Sequence, residues 1–292
     1  MSQSMRTLPS VRTVLDCIER WRSVDLLTLT DEEVEHELSG LITTLADREV
    51  VRLRTGGPRT FYRVRNVEQD QQGNRGVGWP WTKLQDLLWP PTCVDKRGRC
   101  NRPGESVLYV CPASGTALAE MLDVGANNDF VAIKYLCTEP LSLAKVVGPY
   151  DPNAMCEQEV LNPDGLAAYQ IVREFIRTEF TRHVDRGDSL SFLYKASSAI
   201  ARCWFSPGKQ DGWIYPSVQC SEEDCIAVTV EKARSSFQVV SAVRWASPSN
   251  SGIMFPLERA VIMGEELSWR VVPQEQRRRS IRSIRAYLSP VR

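Results

Sequence analysis

The segment Gly98–Met121, GRCNRPGESVLYVCPASGTALAEM, constrains the fold of this chain more than any other stretch. Asn101, Pro103 and Gly104 are turn formers and mark a loop. Val107–Cys111 is an apolar run with strand character, and Gly115–Leu122 opens a helix with Thr116 near its cap. Loop, strand and helix therefore follow one another closely, and each carries one chemically useful side chain: Arg99, Tyr109 and Glu120. A guanidinium, a phenol ring and a carboxylate placed in that order suit a phosphate-bearing nucleotide with a cleavable glycosidic bond. A second segment, DGWIYPSV (Asp211–Val218), adds Ser217 as a candidate to complete the same site.

The rest of the chain frames that segment. With 292 residues it is long enough for one large domain, or a domain with an added module. An apolar content of 42% and a charged content of 25% are ordinary for a globular protein, and no apolar run is long enough to suggest a membrane span. The N-terminus, MSQSMRTLPSVRTV, lacks the apolar centre of a secretory signal, so a cytoplasmic location is expected. The nine cysteines are scattered, which fits reduced thiols better than a disulfide framework. No CxxC occurs, and His36 and His183 are the only histidines, so no metal site is expected. A Ser–His–acid triad is equally unsupported. Formal net charge is zero, so no global basic field marks a nucleic-acid binder.

Helices are expected over residues 8–22 and 30–46, the second opening with Thr30 and three acids. Glu49–Arg65 reads as two strands around Gly56-Gly57-Pro58, and residues 66–80 as a polar loop. Ala132–Val147 holds one or two strands. Asn162–Val184 and Leu190–Trp204 read as helices, and Ile226–Val230 and Phe237–Val243 as strands. From Gln276 the chain is Arg-rich, with Ile281, Ile284 and Leu288 on one face of an expected docked basic helix.

Four stretches, taken in order, resemble the RES domain family, named for an Arg, a Glu and a Ser. They are Phe61-Tyr62-Arg63-Val64, the Arg99–Asn101 loop, the Tyr109…Glu120 strand-to-helix run, and Asp211–Ser217. The matched region covers roughly residues 59–245. Cys100 departs from the aromatic residue common after the family's Arg, and the loop after Arg65 is long. The resemblance implies an α+β fold, similar to ADP-ribosyltransferases, with a mainly helical N-terminal extension. The expected divisions are residues 1–56 for that extension, 57–250 for the RES catalytic domain and 251–292 for a C-terminal segment with a basic helix.

The resemblance also implies NAD as substrate rather than as a retained cofactor. Family members look like toxins that deplete NAD by breaking the nicotinamide–ribose bond, and some transfer ADP-ribose to a protein. Many are paired with a helix-turn-helix antitoxin, so such an inhibitory partner is expected here, and a homo-oligomer is compatible. The expected catalytic residues are Glu120, Arg99, Tyr109 and Arg63, and the expected substrate-binding residues are Arg63, Arg99, Tyr109 and Ser217. Glu120 would stabilise an oxocarbenium-like ribose, Arg63 and Arg99 would clamp phosphate or ribose oxygens, and Tyr109 would stack on the cationic nicotinamide. Ser217 would bond the substrate or fix Arg63 or Glu120.

The expected function is that of an NAD-consuming toxin or defence effector, a glycohydrolase or phosphorylase. One alternative is an ADP-ribosyltransferase acting on a macromolecule. The other is a non-catalytic regulator. A helix ending at Leu45-Ala46 followed by REVVRLRTGGPRTFYRVR resembles the last helix and wing of winged-helix DNA-binding domains. Residues 1–65 nevertheless contain ten Arg and ten acids, a neutral balance that disfavours DNA.

Overall fold

The computed structural model describes residues 9–42, 50–53, 59–67, 80–88, 97–122, 129–146, 163–184, 192–205, 208–220, 222–246 and 254–278. Its elements, in chain order, are α1 (Val11–Arg22), α2 (Asp31–Ile42), β1 (Val50–Leu53), β2 (Arg59–Asn66), α3 (Gln85–Leu88), β3 (Val107–Val110), α4 (Ser114–Leu122), β4 (Asp129–Cys137), β5 (Leu141–Lys145), α5 (Pro163–Thr181), α6 (Tyr194–Trp204), β6 (Gly212–Pro216), β7 (Asp224–Thr229), α7 (Val230–Ser236), β8 (Phe237–Ala246), β9 (Phe255–Met263) and β10 (Glu266–Val271). The class is α+β. The chain divides into two compact units: residues 1–51, 93–105 and 142–216 form the first, and residues 52–92, 106–141 and 217–292 the second.

The first unit is built mainly of helices. Ser10 caps α1 by accepting the Thr13 N–H, and Val14, Ile18 and Trp21 then fall on one buried stripe. A reciprocal capping box opens α2. The Thr30 N–H donates to Glu33 Oε2 at 2.7 Å, and the Glu33 N–H donates to Thr30 Oγ1 at 3.2 Å. Val34, Leu38, Leu41 and Ile42 are buried along α2, which packs against α6, while α1 packs against α5. Pro163 opens α5, where its missing N–H costs nothing. Strands β5 and β6 run parallel, and all five residues of β6 are buried, as the continuous apolar run of a parallel strand requires.

The second unit carries an antiparallel sheet in the order β10-β9-β8-β4-β2, and a separate antiparallel pair, β3 with β7. Below the sheet lies a cluster of Met121, Phe130 and Met254, with Val64, Leu118 and Trp245 packed on it. Arg244 is buried across β8, where its guanidinium grips Asp129 through two nitrogens and Glu258 through a third contact at 2.6 Å.

The elements follow the sequence reading closely, with identifiable departures. The two strands read in Glu49–Arg65 exist, but they do not pair as a hairpin. β2 pairs with β4, and β1 belongs to the other sheet, beside β5. The turn between them and the end of the preceding expected helix lie outside the described residues. The expected 8–22 and 30–46 helices are realised as Val11–Arg22 and Asp31–Ile42, and Leu190–Trp204 as Tyr194–Trp204. Five elements went unread: α3, β6, α7, β9 and β10. The β9–β10 hairpin turns at Gly264, whose φ of +64° suits a residue without a Cβ. Gly56-Gly57-Pro58, most of the 66–80 loop and the Ile281–Leu288 face lie outside the described residues.

Candidate active site

Glu120 sits in the last turn of α4. Its helix is anchored by Ala117 and Met121, buried one turn apart, and by Leu118 against the core of the second unit. That anchoring turns Thr116 and Glu120, also four residues apart, toward the segment that follows β6. The arrangement there is specific. The Ser217 hydroxyl donates to Glu120 Oε1, and the Val218 N–H donates to the same oxygen at 2.9 Å. The Gln219 N–H adds a longer contact of 3.4 Å.

Ser217 is itself held in place. Its hydroxyl accepts the Cys220 N–H at 3.0 Å, its own N–H donates to Glu223 O at 2.7 Å, and the Glu223 N–H closes the turn on Cys220 O at 2.8 Å. A loop with this many internal bonds presents a hydroxyl and backbone donors to one carboxylate oxygen with little freedom left to lose. Ser217 is 3% exposed, whereas Glu120 is only half-buried.

Three cysteines surround this pair. Cys111, next after β3, faces Cys225 of β7 with their sulfurs 3.1 Å apart, and both are buried free thiols. The contact of Cys225 with Cys111 and its burial push the thiol pKa far up, and the Glu120 charge adds to the rise. Cys220 is half-buried and close to Thr116, and burial, Glu120 and Glu223 all raise its thiol.

Tyr109 lies opposite Ala227 in the β3–β7 pair. Alternation along β3 puts Tyr109 on the face that carries Cys111, about 6.6 Å further along the strand. It is half-buried, while its neighbours Leu108 and Val110 are buried on the other face.

Arg63 is placed differently. β2 meets the end of β3 through paired Tyr62–Cys111 backbone bonds, each 2.8 Å. Along β2, Val64 points to the face covered by α4, so Arg63 points to the opposite face, with Phe61 and Arg65. There it stands beside the buried Tyr135, whose hydroxyl donates to Leu87 O at 2.6 Å. Burial raises the Tyr135 hydroxyl pKa, and the Arg63 and Arg65 cations partly oppose that rise. One Arg63 nitrogen, Nη1, is buried with no hydrogen-bond partner among the described residues.

Arg99 belongs to the first unit. Its Nη1 donates to Phe180 O at 2.6 Å and its Nη2 to Arg182 O at 3.1 Å, so the cation caps the C-terminal carbonyls of α5. The guanidinium also lies 5.3 Å from the Tyr194 ring centre. Its loop is pinned from within by buried Asn101, which donates to the carbonyls of Arg102 and Glu105, and by the positive φ of Gly104. Charges on α2 hold it from outside. Arg97 forms a fork with Asp31, and Arg102 meets Asp31, Glu32 and Glu35. Arg202 bridges Glu35 and Glu105.

The structure thus brings Glu120 and Ser217 into contact and sets Tyr109 on the strand face next to them. Arg63 is on the far face of its sheet, and Arg99 is anchored within the first unit. Sequence reasoning missed the backbone donors of Val218 and Gln219, the Cys111–Cys225 contact and the acidic face of α2 that holds the Arg99 loop. The last had a visible signal, since Asp31, Glu32 and Glu35 cluster on consecutive turns, but its partners lie about seventy residues away.

The family model of the RES domain matches residues 60–248. The chain belongs to the RES domain family, whose members point to an NAD-related, toxin-like function. Comparison with curated proteins and with solved structures finds no match. No described helix is long and apolar enough to cross a membrane.

Proposed function

We propose that this chain consumes NAD by breaking the bond between nicotinamide and ribose, and that it acts as a toxin or defence effector. One observation carries the reading: a half-exposed carboxylate, Glu120, has one oxygen fixed by the Ser217 hydroxyl and the Val218 N–H. A carboxylate so oriented serves a reaction in which positive charge develops beside it and no strong acid is needed. In the proposed step the C1′–N bond breaks and its electron pair leaves with nicotinamide, which departs neutral. Glu120 faces the oxocarbenium-like ribose, and an oxygen of water or phosphate then bonds to C1′.

Tyr109, on the adjoining strand face, is the proposed stacking partner for the cationic ring. A phosphate-clamping role for Arg63, whose side chain lies on the face of its sheet away from α4, comes from the family motif. Arg99 enters through the family motif alone. The proposed partner is an inhibitory antitoxin of the helix-turn-helix type, the kind of partner that accompanies many family members. A similarity of fold to ADP-ribosyltransferases belongs to the same reading.

NAD turnover with product identification tests it, comparing the intact chain with Glu120→Ala. Release of nicotinamide with free ADP-ribose supports hydrolysis, ADP-ribose phosphate supports phosphorolysis, and label retained on protein or nucleic acid supports transfer. Turnover unaffected by Glu120→Ala in a folded protein overturns the site, and absence of all three products overturns the activity.

A further inference from the structure

We propose that Cys111 and Cys225 are a redox modification site: a cross-strand thiol pair that closes to a disulfide and, through Ser217, weakens the hold on Glu120. The functional half of this inference rests on the reading above; the chemical half does not.

The geometry is set by the β3–β7 ladder. Val110 pairs with Ile226, so the next residues, Cys111 and Cys225, stand directly opposite and point to the same face. Residues opposite in an antiparallel pair have Cα atoms about 4.5–5.5 Å apart, inside the range that a disulfide spans. Their sulfurs already lie 3.1 Å apart. Closing to a bond of about 2.05 Å needs roughly one ångström of movement, shared between side-chain rotation and a small shift of Cys225 toward Cys111.

The pair is wired to the site at both ends. Cys111 stands three positions before the start of α4 and is bound through both backbone groups to Tyr62. Cys225 lies two residues after Glu223, whose carbonyl accepts the Ser217 N–H at 2.7 Å. The Ser217 hydroxyl has two duties, donating to Glu120 and accepting from the Cys220 N–H. A disulfide draws Cys225 toward Cys111 and pulls on the Glu223–Ser217 backbone bond, one of the contacts that aim that hydroxyl.

The chemistry balances with a two-electron oxidant. Two S–H bonds break, one S–S bond forms, and two electrons and two protons pass to the oxidant, giving two waters from hydrogen peroxide or a hydrazine from the azo compound diamide. Both thiols are buried, so small oxidants are the matching class. The raised thiol of Cys225 makes the reaction faster in alkaline than in neutral buffer.

The test uses the folded full-length chain, treated with diamide or hydrogen peroxide and then with dithiothreitol. Expected are a Cys111–Cys225 bridged peptide two mass units lighter than the paired thiols, and a fall in NAD turnover of severalfold that dithiothreitol reverses. In Cys111→Ala and Cys225→Ala, turnover before and after oxidant is the same. Failure to find the bridged peptide in native protein, or a mixed disulfide on Cys220 in its place, overturns the modification site. A bridged peptide with unchanged turnover overturns its control of Glu120. If the reduced chain consumes no NAD, peptide mapping still decides the disulfide by itself, so the two failures are distinguishable.

Discussion

At the scale of single residues, the Glu120–Ser217 contact tests the proposed chemistry apart from stability. Ser217→Ala removes one donor and leaves the Val218 N–H on Glu120 Oε1. The expected result is a loss of turnover of about ten- to hundredfold, the worth of one hydrogen bond to a charged group. Circular dichroism should show an intact fold. Arg244 is the contrasting case. It is 5% exposed and bound to Asp129 and Glu258, so Arg244→Ala leaves buried carboxylates without their cation. Stability should fall by about 3–5 kcal/mol, read as a lower urea midpoint. Arg63 tests the proposed phosphate contact. Arg63→Ala should raise KM for NAD with little change in kcat; a large loss of thermal stability with an unchanged KM would assign it to the Tyr135 face alone.

At the scale of elements, α2 holds its place by a capping box on one side and by three carboxylates on the other. Thr30→Ala should cost about 1 kcal/mol in denaturant unfolding. The Thr30 backbone and hydroxyl hold the Glu33 carboxyl below its ordinary value of 4.5, and a backbone contact and Arg102 do the same for Glu32. A depressed carboxylate stabilises the fold fully above the ordinary value and loses that contribution as pH falls through the lower folded one. Acid titration of Glu33→Gln should therefore show a smaller loss of stability below about pH 4.5 than the intact chain. Arg102→Ala should lower stability by about 1–2 kcal/mol, less at high salt, because the pairs it breaks are partly exposed.

At the scale of the whole molecule, the chain divides into two compact units, each drawn from three separate stretches. α1 and α2 share the first unit with residues 93–105 and 142–216, so helices outside the family-matched span pack with residues inside it. The local elements were readable because their causes are local: Thr30 caps α2, Pro163 opens α5, and an unbroken apolar run marks β3. Glu120, Tyr109, Arg63 and Ser217 could be named because ordered motifs carried them. What each touches was not readable, since contact depends on register and face. A strand reverses its side chains at every residue, so Arg63 and Val64, adjacent in sequence, serve opposite faces of one sheet. The separation of β1 from β2 was not readable either: two strands around Gly-Gly-Pro look like a hairpin, and sheet order places one beside β5 and the other beside β4. The sequence by itself determined the α+β class and the family, and it named the candidate residues for a site. Only the tertiary structure decided that Glu120 is held by the loop after β6, that Arg99 caps α5, and that Cys111 meets Cys225. Those pairings join residues some eighty to more than a hundred positions apart, and only packing brings such distant groups within hydrogen-bond range.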